Sequence, residues 1–130
     1  MIARTRWRFE SSGAPDRLRE ASDEMESLLA VHGVSERGRF AARLVCEELV
    51  LNALEHGKAR SVSLQVDPDR DPRQLLFEDD GIPFDPTVPA SPPDATGTRG
   101  RGLVLVQRFA AALAYRRDGG ANRLEVQLPD

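Results

Sequence analysis

The sequence predicts an α+β domain in which a mostly antiparallel sheet is covered on one face by helices. Two observations carry that prediction. Short runs with apolar residues at every second position adjoin one another in pairs, and longer stretches with helical spacing stand between the pairs. The order is strand, helix, helix, two strands, a long loop, helix, two strands. At 130 residues the chain suits one domain spanning 1–130, built on a single core.

Each element has its own signal. Thr5, Trp7 and Phe9 alternate with Arg4, Arg6, Arg8 and Glu10, the period of a half-buried strand. Pro15 opens a helix that runs to about Val31 with Leu18, Met25, Leu28 and Leu29 apolar, and Gly33 ends it. Ser35 is placed to cap the next helix, which holds Phe40, Leu44, Val45, Leu49 and Leu51 and stops at Gly57. Its apolar face is expected to include Ala41 and Leu44. Two strand runs follow, Ala59 to Val66 and Gln74 to Glu78, across the turn-forming DPDRDPR. From Asp79 to Gly102 the chain carries five prolines and four glycines, which excludes a continuous helix or a central strand. A loop this long in a small domain is usually functional or disordered. Helix resumes near Gly102 with LVLVQRFAAAL. Ala114 to Arg117 and Arg123 to Leu128 then form a hairpin across Asp118-Gly119-Gly120, with Leu124, Val126 and Leu128 alternating.

Composition narrows the classes of function. Hydrophobic residues at 40% and charged residues at 30% describe a soluble globular chain. The net charge of −3 comes with no Lys/Arg block, which argues against a direct nucleic-acid partner. Cys46 is the single cysteine, so no disulfide forms within the chain and a reduced, cytoplasmic setting is expected. The opening MIARTRWRFE lacks the apolar run of a signal peptide, and no segment reaches membrane-spanning length.

Three stretches hold chemistry. In CEELVLNALEHG, Glu48, Asn52, Glu55 and His56 share one helical stripe. Glu48 and Asn52 can be a solvated i,i+4 pair, or a base one turn from an amide oxygen able to ligate a hard cation such as Mg²⁺. Asp79-Asp80-Gly81 ends an apolar strand, either as an ordinary turn or as a carboxylate offered to a ligand amine beside a close-approach glycine. Gly97, Gly100 and Gly102 precede a helix whose free N–H groups suit phosphate, although neither a Walker loop nor a Rossmann fingerprint is formed. His32 and His56 with one cysteine are too few for a zinc site, and each can serve as a cation at a helix C-terminus. No serine-histidine nucleophile pattern is present.

In this fixed order the three stretches resemble the GHKL, or Bergerat-fold, ATP-binding superfamily, and within it the stand-alone anti-sigma-factor serine kinases. EELVLNALEHG looks like the N-box, FEDDGIPFDP like the D-x-G-x-x-F-D-P box, and GTRGRGLVLVQRFA like the glycine box that ends the ATP lid. YRRDGGANRLEV resembles the closing hairpin. The resemblance implies a two-layer α/β sandwich with a mixed, mostly antiparallel sheet and a long ATP lid at about 85–101. It assigns Glu48 as catalytic base, Asn52 to Mg²⁺, Asp79 to the adenine amino group and Gly81 to admitting the purine edge. Gly100 and Gly102 would meet the phosphates, with Arg99 and Arg101 beside them, and Phe84, Leu103 and His56 match motif positions around the nucleotide.

The implied activity is phosphoryl transfer from ATP–Mg²⁺ to a serine of a small anti-anti-sigma, STAS-type protein, with a sigma factor or another regulator as client. Histidine kinases of the superfamily add a phosphoacceptor domain, and the topoisomerase and chaperone members add a lysine-bearing transducer; neither is expected here. Two other readings stay open: a nucleotide-gated module that sequesters a partner without phosphorylating it, and a detached histidine-kinase domain. A homodimer is implied by resemblance, with the first strand and Trp7 as contributors.

Overall fold

The structure is a computed structural model that describes residues 5–12, 14–70, 73–88 and 101–129. Five strands form one sheet: β1 (Thr5–Glu10), β2 (Ser61–Asp67), β3 (Gln74–Asp79), β4 (Ala112–Asp118) and β5 (Ala121–Gln127), in spatial order β1-β2-β3-β5-β4. The expected mixed sheet is antiparallel at every ladder. Three helices, α1 (Ala14–Val31), α2 (Glu36–Leu51) and α3 (Arg101–Phe109), make the second layer, with α2 packed between the other two.

Alternation explains which sheet face they cover. Trp7 and Phe9 of β1, Val62, Leu64 and Val66 of β2, Leu75 and Phe77 of β3, and Leu124 and Val126 of β5 are all buried. Their neighbours in sequence lie on the other face and, Leu76 apart, are polar. Leu18, Ala21, Met25 and Leu29 bring the apolar stripe of α1 onto this core, and Val45, Cys46, Leu49 and Val50 bring that of α2. Trp7, expected at a dimer surface, is instead 3% exposed, and its indole N–H donates to Glu24 of α1 at 2.8 Å.

Local chemistry sets the helix ends. The Ser35 hydroxyl accepts from the Gly38 amide at 3.1 Å, capping α2 as expected. Gly33 turns the chain after α1 with φ +79°. Arg43 ties α2 to α1 through Asp23 at 2.7 Å and Glu26 at 3.0 Å, and also pairs with Glu47 at 3.3 Å. Asp23, the strongest influence, raises the Arg43 pKa against the opposing effect of burial.

Three local expectations are corrected. Phe40 is 57% exposed, its ring edge-on to Phe109 at 5.7 Å, and Leu44 is half-buried outside the core, because α2 turns that side toward α3. The third helix stops at Phe109 rather than running through the alanines to Leu113. Ala111 N–H donates to Gln127 O at 2.8 Å and Ala112 pairs with Gln127, so the ladder to β5 overrides the helix propensity of alanine. Finally, α2 ends in a π turn, Asn52–His56, rather than continuing as α-helix to Gly57.

Of the expected lid at 85–101, residues 89–100 lie outside the described residues. Its root is held: Asp85 Oδ1 accepts from the amide and hydroxyl of Thr87, and Gln107 of α3 donates to the carbonyls of Pro86 and Val88.

Candidate functional site

Strand register builds the site. Across the helix-covered face, Phe9, Val62, Asp79, Asn122 and Arg117 stand in one cross-strand row. The row begins apolar at β1 and turns polar at the end of β3. One step away runs the row Trp7, Leu64, Phe77, Leu124 and Tyr115. Where the polar row meets the C-terminal end of α2, a cavity of about 90 Å³ opens. Val62, Phe77 and Leu124 floor it, Leu49, Asn52, Ala53 and His56 wall it from the helix, and Ile82, Phe84 and Pro86 close the loop side. Asp79, Asn122 and Tyr115 supply polar groups at its inner end.

The π turn shapes the helix wall. Gly57 N–H reaches the Asn52 carbonyl five residues back at 2.8 Å, and such turns are frequent at functional sites. Gly57 itself has φ −84°; Lys58, the chain's one lysine, takes the left-handed conformation at φ +57°. Gly57 is small for a different reason, since a Cβ there would lie 2.9 Å from the Ala53 carbonyl.

The turn after β3 is fastened on every side. Asp79 Oδ1 accepts from the Gly81 amide at 2.8 Å and from Asn122 Nδ2 at 2.9 Å. Ile82 N–H donates to the Gly57 carbonyl at 2.8 Å, and Arg117 Nη1 donates to the Gly81 carbonyl at 2.7 Å. Asp80, the neighbouring acid, faces the other way and accepts from the amides of Arg60 at 2.8 Å and Ser61 at 3.2 Å. Slight desolvation is the largest single influence on Asp80 and opposes ionisation; the Ser61 and Arg60 donors outweigh it and hold the carboxyl below its usual range. Gly81 is buried, and a Cβ on it would lie 2.4 Å from the Gly57 carbonyl, so only glycine lets this turn touch the helix end.

The sequence-derived residues fall in distinct places. Asn52, His56, Asp79 and Phe84 line the cavity together, and Gly81 is buried beside it. Glu48 lies outside that lining, one turn up α2. The Asn52 amide N–H donates to the Glu48 carbonyl, so the helical register joining the two is intact. Burial, then Glu47, then Glu55 raise the Glu48 pKa above the usual carboxylate range. Leu103 is buried in α3, Arg101 and Gly102 begin that helix, and Arg99 and Gly100 lie outside the described residues.

Asn122 and Tyr115 escaped the sequence reading. A signal for Asn122 was present: it is in phase with Leu124, Val126 and Leu128, a polar residue where alternation calls for an apolar one. It is 6% exposed.

Among the described residues no group of three or more His, Cys, Asp or Glu is placed to hold a metal, and no helix is long and apolar enough to cross a membrane. A single amide ligand such as Asn52 suits Mg²⁺ that arrives with phosphate and keeps other oxygens around it. The Asn52 side chain enters none of the hydrogen bonds among the described residues.

Comparison with known proteins covers the span that carries these features. The family model described as a histidine kinase-like ATPase domain matches residues 12–128. The serine/threonine-protein kinase BtrW of Bordetella bronchiseptica is 33% identical over 99 residues, covering 69% of this chain and 70% of that protein. ATP is the cofactor that this match implies. An α+β sandwich with its pocket at the end of the central strand, matched over nearly its whole length, places the chain in the histidine kinase-like ATPase domain family.

Proposed function

We propose that this chain is an ATP–Mg²⁺-dependent serine/threonine protein kinase that acts as a cytoplasmic anti-sigma factor in a partner switch, phosphorylating a small anti-anti-sigma protein of STAS type. The observation that carries the reading is one helix face. Glu48, a carboxylate held above its usual pKa range, precedes by one turn Asn52, which lines the cavity ending on Asp79. The name of the BtrW relative supports a serine/threonine acceptor.

In this reading Asp79 accepts the adenine amino group through Oδ2, the oxygen left over once Oδ1 has taken its two donors. Leu49, Phe77 and Leu124 give the base an apolar slot. Asn52 would hold Mg²⁺ by its side-chain oxygen, and the ion supplies neutralisation of phosphate charge. The Glu48 carboxylate takes the proton from the acceptor serine hydroxyl as that oxygen becomes the nucleophile; its raised pKa brings a carboxylate closer to the range useful at neutral pH. Gly100 and Gly102 would offer N–H groups to the phosphates, with Arg99 and Arg101 adding positive charge. A sigma factor or other regulator is the client, and the working form is a homodimer.

The test is label transfer from γ-labelled ATP to a purified anti-anti-sigma protein. Acid-stable label on serine is expected, falling by about 10²-fold or more in Glu48→Gln while ADP affinity is kept. Undiminished transfer by Glu48→Gln would overturn the base, and tight partner binding without any label would favour a sequestering module.

A further inference from the structure

We infer that Tyr115 and Asn122 are positioning residues that set which base the cavity accepts, by fixing the orientation of one buried amide. The inference rests on the nucleotide reading of the cavity and assigns the origin of its selectivity.

Asn122 lies opposite Asp79 in the β3–β5 ladder and is almost fully buried. All of its hydrogen-bonding capacity is committed. Nδ2 donates to Asp79 Oδ1 at 2.9 Å and to the Ile82 carbonyl at 2.8 Å. Oδ1 accepts from the Tyr115 hydroxyl at 2.6 Å and, at a longer 3.4 Å, from the Phe84 amide. The partners dictate this orientation. A carboxylate oxygen and a carbonyl can only accept, so the edge of Asn122 that faces them must be its NH₂. The Phe84 amide can only donate, and the Tyr115 hydroxyl, free to rotate, donates too. A flipped amide would set acceptor against acceptor at two contacts in a site screened from water.

The consequence falls on Asp79. With the Gly81 amide at 2.8 Å as second donor, Oδ1 is saturated, and none of the described hydrogen bonds uses Oδ2. The cavity therefore presents one acceptor of fixed direction at its inner end, which suits a base carrying an exocyclic amine. A base with a carbonyl at that position would meet oxygen with oxygen. Tyr115 acts at one remove. It contacts Asn122 diagonally across the β4–β5 pair, and its hydroxyl is the strong donor that holds the amide in place.

Tyr115→Phe removes that donor and keeps the ring that lines the cavity. Binding of ADP and of IDP, which has oxygen in place of the amine, is measured with Mg²⁺ by titration calorimetry on wild type, Tyr115→Phe and Asn122→Ala. Thermal melts confirm that each variant is folded. Wild type is expected to prefer ADP strongly, and the ADP:IDP ratio should shrink by about tenfold in Tyr115→Phe. Asn122→Ala should shrink it at least as far. Two variants that weaken ADP and IDP equally, leaving the ratio intact, would mean that Tyr115 and Asn122 only support the fold, and the inference would be overturned. Wild-type protein that binds neither nucleotide would overturn the nucleotide reading itself, a result distinct from an unchanged ratio.

Discussion

Two neighbouring rows on the same face of the sheet differ in what they ask of the chain. The row Trp7, Leu64, Phe77, Leu124 and Tyr115 is apolar almost to its end: Trp7 and Leu64 lie in the core under the helices, while Phe77 and Leu124 also floor the cavity. The row Phe9, Val62, Asp79, Asn122 and Arg117 starts the same way, then sets an acid and an amide where core residues would pack and ends on an exposed arginine. Burying polar groups is costly unless each is bonded, and here Asn122 is bonded at both ends of its amide while Asp79 Oδ1 takes two donors. One row holds the domain together, while the other is stable enough to exist and keeps a single oxygen unspent.

The largest effect expected from this contrast is on the apolar row. Leu64→Ala, at a fully buried position outside the cavity lining, should cost about 2–5 kcal/mol of folding stability in denaturant melts. Nucleotide affinity of the molecules that remain folded should not change, and a joint loss would mean that the rows are not separable. Gly81→Ala comes next, because its Cβ would collide with the Gly57 carbonyl at 2.4 Å. It should cost about 2–3 kcal/mol and displace the Asp79 turn, which calorimetry with ADP would register as lost binding. Asp79→Asn should reverse that pattern: ADP affinity falling about 10–100-fold with a melting temperature close to wild type. If it unfolds the protein instead, the polar row is structural.

The smallest effect concerns pH. Burial and neighbouring acids hold Glu48 above the usual carboxylate range, so the folded chain binds that proton more tightly than the unfolded chain does. The stability tied to its protonation is fully present below the unfolded pKa and is lost as pH rises through the folded one. Glu48→Gln should therefore melt about 2 °C higher than wild type at neutral pH, with the gap closing below about pH 4. A gap independent of pH would assign the effect to packing rather than charge.

Much of this was legible beforehand, for reasons specific to each residue. Period-two and helical spacing report burial directly, which is why β1, α1, β2, β3 and the Ser35 cap stand where the sequence put them. The spacing of Glu48 and Asn52 survives because α-helix continues through Leu51 and the Asn52 N–H still meets the Glu48 carbonyl. What stayed hidden depends on contacts between distant segments. Ala111 to Leu113 form no helix because β5 takes their backbone, Gln127 meeting Ala111 and Ala112 and Val126 pairing with Leu113. His56-Gly57 looks like a glycine-ended helix, yet the left-handed residue is Lys58, since the π turn shifts the stop by one position. Asn122 carried a visible break in alternation, but its value depends on lying opposite Asp79, and register across a crossover cannot be counted from one strand. Arg117 gave no signal beyond being an arginine on a hairpin.

Cys46 lies fully buried on α2, and burial pushes its thiol up to about 12. In the native chain it is neither exposed nor ionised, so a thiol reagent meets it only when the covering side chains part. As this is the molecule's one sulfhydryl, the rate at which a trapping reagent consumes it is a clock on that opening. The clock needs no inserted probe. Slower consumption in the presence of nucleotide would measure, from within the core, how much an occupied pocket tightens the helix layer that frames it.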